Sequence, residues 1–430
     1  MAILKTTLDN GLTVLIKESH AAPVASFWIW YRVGSGREHV GITGISHWVE
    51  HMLYKGTPQW PRGSADRAIS RQGGIENGAT WYDFTTYYAT LPADRIELAI
   101  EIEADRMTGA LFKPHEVEAE RTVIISERQG AENDPAFLLN EEVIAAAFRV
   151  HPYGHETIGH LCDLEGITRE DLYRYYRTYY APGNAVAVAV GDFEAQGMLE
   201  AIRRHLGHIP DREVPDAHPA VEPPQRGERR VMLEGEGNTA YLELAFHTPP
   251  AADPDFYPLV VLDSVLAGAG GMSLFGGGST NHTCRLYRAL VDTELAADVS
   301  GSLVPTVDPF LYVIDCTVRA GRTLGEVEER LWAELQKVID APVTAEELTK
   351  AIKQAKAQFA YSSESVTGQA FWLGWSEIFA DYAWFEQYLD RLSAVTLEDI
   401  HRVANQYLTR SNSTIGWYVP RTADDDQAPS

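Results

Sequence analysis

Apolar and polar residues alternate at the start of the chain. Residues 12–17 and 25–33 carry the period-two pattern of strands. Asp9-Asn10-Gly11 is a strong hairpin turn signal ahead of the first of them. The spacing then changes to that of a helix over residues 45–54. A strand is predicted at 82–91, followed by helices at 92–111 and 114–129. The second half repeats this order. Strands are predicted at 230–233 and 239–247, a helix at 256–266, a strand at 310–318, and helices at 324–339 and 345–361.

Strand, helix, strand, then helices is the grammar of an α+β layer, with helices packed on one face of a mainly antiparallel sheet. Its repetition predicts two homologous domains. The clearest break is the run PDAHPAVEPPQRGERR, rich in Pro and charge and without periodicity. The expected organisation is therefore a first domain over residues 1–215, a linker over 216–229 and a second domain over 230–430. A length of 430 residues suits two such units. The last ten residues, RTADDDQAPS, read as a frayed tail. The Gly-rich run at 268–278, GAGGMSLFGGG, has no Lys to close a phosphate loop. It reads equally as a flexible loop or as a flap that meets a substrate.

Charge narrows the partners. The chain has 36 basic and 61 acidic residues, a net charge of -25. That argues against nucleic acid and against an anionic membrane surface, both of which need clustered Lys and Arg. It leaves a solvated acidic surface or, more sharply, an acidic cavity that attracts basic peptides. Cys162, Cys284 and Cys316 form no pair motif and no disulfide framework. No run of 18 apolar residues predicts a membrane span. The opening MAILKTTLDNGLTVL has no basic-then-apolar leader. The expectation is a cytoplasmic chain, with a periplasmic one as the alternative.

His47-Trp48-Val49-Glu50-His51 carries the chemistry. Residues four apart share one face of a helix, so His47 and His51 can offer two imidazoles to one ion. Two His and a carboxylate suit zinc, with a fourth position open to water. Glu50 lies on nearly the same face and is placed to take a proton as general base. Zinc lowers the pKa of a bound water to roughly 7, which brings a nucleophile within reach of neutral pH. The order H-x-x-E-H is the inverse of the commoner zinc motif. A third ligand is required, and Glu127 in PHEVEAERTVIISERQG is the best candidate. Glu120, two turns earlier, shares its face. One carboxylate can bind metal while the other orients an imidazole, and spacing alone does not assign which.

GITGISHWVEHMLYKGT resembles the active-site segment of the pitrilysin and mitochondrial-processing-peptidase family of zinc endopeptidases. The resemblance continues through GGIENGATWYDFTTYYATLP, ERTVIISERQ, YYAPGNAVAVAVGDF and VTLEDIHRVANQYLTRSNSTIGWYVP, and so covers nearly the whole chain. It implies one zinc ion per chain, with Glu127 as the third ligand and Glu120 as an acidic partner behind the ligands. It implies two α+β domains per subunit, and two subunits closing around a peptide. It also implies that an extended peptide adds to a sheet edge beside the zinc, in residues 77–88 here, with Asn77 and Ala79 as substrate contacts.

The second half departs from that pattern. Active single-subunit members carry an Arg and a Tyr seven residues apart that hold substrate and stabilise the oxyanion. In CRLYRALVDTELAADVS these fall on Val291 and Asp298, neither of which can donate as required. The expectation is the zinc-bearing subunit of a heterodimer whose paralogous partner supplies the pair. A non-catalytic scaffold, or a peptide-binding subunit, is the alternative.

Overall fold

The computed structural model describes residues 3–215, 220–270 and 282–421. Residues 271–278 of the Gly-rich run lie outside them. The described residues form two sheets. The first contains β1 (Leu4–Thr7), β2 (Thr13–Glu18), β3 (Val24–Tyr31), β4 (Ile75–Thr80), β5 (Thr85–Pro92) and β6 (Ala185–Gly191), in the order β1-β2-β6-β3-β5-β4. The second contains β7 (Arg229–Glu236), β8 (Tyr241–Thr248), β9 (Ala296–Leu303), β10 (Phe310–Val318) and β11 (Ser413–Arg421), in the order β7-β11-β8-β10-β9. Each has one parallel pair, β2 with β6 and β7 with β11, and is otherwise antiparallel. Apart from β1, the two orders superimpose strand for strand. This is the duplication that the repeated sequence pattern predicts.

The hairpin forms as its turn residues require. β1 and β2 pair antiparallel, and Gly11 takes φ 83°, a conformation that glycine adopts without a Cβ penalty. Asn10 fixes the turn to the body by donating from Nδ2 to the carbonyls of Leu206 and Ile209, at 2.8 and 2.9 Å. The helices fall close to their predicted spans. Ile45–Leu53, Glu97–Gly109 and Pro114–Ala131 are in the first half, and Phe256–Leu266, Leu324–Asp340 and Ala345–Ser362 are in the second. Residues 77–88 are not one strand. They form a hairpin, β4 turning into β5 at residues 81–84, and β4 is the edge of its sheet.

The chain divides into two compact units, and one of the places where it passes between them, residues 220 and 221, falls inside the Pro-rich run. Each unit also takes in a segment from the other half of the sequence. The first includes residues 363–385 and the second residues 130–150. In the first unit, Val14, Ile16, Phe27 and Ile29 turn one sheet face to a core shared with Trp48, Val49, Met52, Ile100 and Met107. Alternation sends Trp28 and Trp30 to the other face. There they meet Phe371, with ring centroids 5.8 and 5.7 Å apart, on the helix Val366–Phe379. This second layer explains why β3, VASFWIWY, is apolar almost throughout. In the second unit the helix Pro135–Ala147 plays the same part, with Leu139 and Val143 packed against Gly416 of β11.

Candidate metal centre

The helix Ile45–Leu53 lies against the first sheet with Trp48, Val49, Met52 and Leu53 buried. Its opposite face carries His47 and His51, whose Nε2 atoms are 3.1 Å apart. Glu127 reaches them from the helix Pro114–Ala131. Its Oε2 is 4.0 Å from His47 Nε2 and 3.8 Å from His51 Nε2. All three ligand atoms lie within 4.8 Å of one another. Donors about 2.0–2.1 Å from a tetrahedral zinc are separated by roughly 3.3 Å, so this set fits the ion after small side-chain movements.

Glu120 stands behind His51, with Oε1 2.8 Å from Nδ1. A proton held on Nδ1 by that bond would leave Nε2, which faces the shared centre, as the ligating atom. Lys55 pairs with the other oxygen of Glu120. Burial and then the neighbouring His51 push His47 down to about 3, so its ring is neutral and available as a donor. For His51, burial opposes charge, but Glu120 and the nearby carboxylates outweigh it and raise the pKa.

Glu50 is buried beside this pair, and its Oε2 accepts from the Thr80 hydroxyl at 2.7 Å. Burial raises its pKa by more than the Thr80 bond and His51 lower it. A carboxyl shifted toward neutral pH, held by one bond and adjacent to the metal position, suits a proton acceptor. Thr80 ends β4, so the free sheet edge runs directly to Glu50. Thr80 and, on the same alternation, Glu76, which reaches Arg106 at 3.1 Å, face the helix layer. Asn77 and Ala79 therefore point to the opposite face and lie beside the edge mainly through their backbone. The Asn77 side chain folds back to accept from the Gly78 N–H at 2.9 Å.

In the second unit Val291 ends the turn Tyr287–Val291, and Asp298 is exposed on β9 opposite Thr317. Neither side chain offers a donor. Sequence reasoning did not identify Thr80 or Lys55 as partners of the site, nor Glu38 and His155, which meet at 3.0 Å ahead of the motif helix. The absence of any N-capping side chain before Ile45 is the signal that could have pointed to Glu38. Among the described residues no helix is long and apolar enough to cross a membrane.

A duplicated α+β chain with an inverted His-x-x-Glu-His helix against one sheet, and no such motif in the other half, defines a class of metallopeptidase-like folds. The chain belongs to the M16 peptidase family. Residues 13–160 match the family model described as Insulinase (Peptidase family M16), and residues 166–355 match Peptidase M16 inactive domain. It is 27% identical to a protein named Zinc protease PqqE from Helicobacter pylori, over 96% of this chain and 92% of that one. It is 25% identical to a probable mitochondrial-processing peptidase subunit beta from Arabidopsis thaliana, over 94% and 76% respectively. The crystal structure of a protease from Helicobacter pylori matches it with a TM-score of 0.91 at 25% identity, covering 97% of this chain and all of that one.

Proposed function

We propose that this chain is a zinc-dependent endopeptidase acting on peptides or unfolded segments, with His47, His51 and Glu127 holding one zinc ion. The observation that carries this reading is the convergence of three donors, within 4.8 Å of one another, beside a buried carboxylate and a free sheet edge. Zinc bound there would polarise the scissile carbonyl and acidify a water. The chain's own residues do the rest. β4 binds the peptide as an added strand through its backbone, with Asn77 and Ala79 along the contact. Glu50 takes the proton from the attacking water on its carboxylate and returns it to the leaving amine. Thr80 holds that carboxylate toward the strand, and Glu120 keeps His51 in the ligating tautomer. The net charge of -25 favours basic peptides.

Val291 and Asp298 support a heterodimer in which a paralogous chain supplies the oxyanion donors. The same two residues, and the match of residues 166–355 to an inactive-domain model, also support the alternative of a peptide-binding or scaffold subunit. Zinc content and hydrolysis of a quenched peptide, measured on the same sample, separate these. The peptidase reading expects about one zinc per chain. It also expects Glu50→Gln to keep the metal while losing roughly 10²–10⁴-fold in rate. Loss of zinc in Glu50→Gln would make Glu50 a ligand and overturn its assigned role. A metal-free parent chain would favour the scaffold.

A further inference from the structure

The helix that carries His47 starts without a cap of its own. Its N-cap residue is Gly44 at φ 86°. A Cβ at Gly44 would lie 2.5 Å from the carbonyl oxygen of Ile158. Packing therefore excludes the Ser, Thr, Asn or Asp that usually satisfies the first N–H groups of a helix. Those groups still need partners. The Ile45 N–H turns back to the Ile42 carbonyl at 3.2 Å, and Glu38, six residues before Gly44, takes the two on either side of it. Its Oε2 accepts from the Gly44 N–H at 2.7 Å and its Oε1 from the Ser46 N–H at 2.8 Å. One carboxylate thus does the work of a capping side chain and adds a negative charge at the positive end of the helix. The Glu38 side chain is wholly shielded from solvent, and His155 Nε2 closes it from the far side at 3.0 Å. Tyr175 completes the surroundings, its hydroxyl 2.8 Å from Ser46 Oγ.

His47 follows Ser46 directly and so belongs to this first turn. His51 lies a full turn later and has its own support in Glu120. Fraying of the first turn would move His47 and leave His51 where it is. We propose that Glu38, backed by His155, is the positioning residue for His47, fixing the turn from which that imidazole reaches the metal position. The inference rests on the reading of His47 as a zinc ligand. Asp163 provides an internal control. Its Oδ2 ties down the same loop through the Gly41 N–H, the Thr43 N–H and the Thr43 hydroxyl at 2.9, 3.0 and 2.7 Å, without touching a helix N–H group.

The test uses the full chain with Glu38→Ala, Glu38→Gln and Asp163→Asn. It measures zinc affinity by chelator competition, the visible spectrum of the cobalt(II)-loaded chain, and the melting temperature of the metal-free form. Glu38→Ala should weaken zinc by about 10–100-fold, the usual cost of losing a group that orients a ligand, and should alter the cobalt spectrum. Glu38→Gln keeps one acceptor oxygen and should recover part of both. Asp163→Asn should leave the spectrum unchanged whatever it does to melting. A folded Glu38→Ala chain with the parent's affinity and spectrum overturns the proposal. So does an Asp163→Asn spectrum shifted as far as that of Glu38→Ala, since the loop as a whole would then be responsible. If Glu38→Ala does not fold, Glu38→Gln and His155→Gln carry the same spectral criterion. A parent chain that binds neither zinc nor cobalt overturns the metal reading itself, an outcome distinct from a metal-binding parent with an unaffected variant.

Discussion

The two sheets share strand order and the position of the parallel pair, yet the helices that follow their equivalent strands β3 and β8 differ completely. Ile45–Leu53 is ISHWVEHML, with an apolar side against the sheet and two His and a Glu on the other. Phe256–Leu266 is FYPLVVLDSVL, buried along almost its whole length and without a His or Glu. Both satisfy what the fold demands, an apolar face against a sheet. The chemistry depends on a few further positions that packing does not require. A duplicated fold can therefore keep its architecture in both copies while only one of them carries the His and Glu positions.

If, in the proposed peptidase, the second unit's task is to supply oxyanion donors, Val291 and Asp298 do not provide them, and introducing them is the strongest way to break the comparison. Val291→Arg with Asp298→Tyr should raise kcat/KM of the isolated chain for a quenched peptide by about 10²–10³-fold, the value of one well-placed donor. An unchanged rate would mean that the missing pair is not what limits the isolated chain. The next effect lies in the first unit. Glu120→Gln keeps the side chain's shape but loses the carboxylate that orients His51 and pairs with Lys55. Zinc affinity should fall by roughly 10–100-fold in chelator competition. A value equal to the parent's would leave Glu120 only a packing role.

The exchanged helices offer a matched pair of smaller perturbations. A Cβ at Gly374 would come within 2.0 Å of the Trp30 indole nitrogen, and one at Gly416 within 2.4 Å of Val143 Cγ2. Gly374→Ala and Gly416→Ala should each destabilise their own unit by about 1–3 kcal/mol, the usual cost of overpacking, in denaturant unfolding followed by probes in each unit. A variant that weakens only the other unit would show that the segments are not integral to the units that hold them.

The sequence carried the parts of this molecule that depend on local spacing. His47, Glu50 and His51 are visible because they lie on one turn of helix, and Glu120 and Glu127 because seven residues bring a helix back to one face. The passage between units at residues 220 and 221 lies in a run marked by Pro and charge. The exchanged helices were not. Residues 366–379 and 135–147 form ordinary helices, and nothing local says which sheet each covers. Trp28 and Trp30 gave the one hint, since a strand apolar on both faces must be covered twice. The β4–β5 hairpin was hidden because its turn, Trp81-Tyr82-Asp83-Phe84, contains no Gly or Asn and continues the apolar run. Glu38 was hidden because its partners are backbone groups beyond a loop.

Asp263 sharpens the comparison at its smallest scale. It lies on the helix of the second unit that corresponds to the motif helix, and it is that helix's one acid between Phe256 and Leu266. Its Oδ1 accepts from the Tyr312 hydroxyl at 3.0 Å, and burial pushes its pKa up to about 7 against that bond. The sign of the pH effect follows. Between about pH 4 and 7 the folded chain keeps a proton on Asp263 that the unfolded chain has released, so stability falls as pH rises through that window. Asn keeps an acceptor oxygen for Tyr312 and cannot ionise. Asp263→Asn should therefore melt with the parent near pH 4 and a few degrees above it at pH 8, with the gap opening as pH rises. A gap of constant size across that range would mean that Asp263 ionises in the folded chain as it does in water. The second unit would then tolerate a buried charge on the helix where the first unit has its His and Glu.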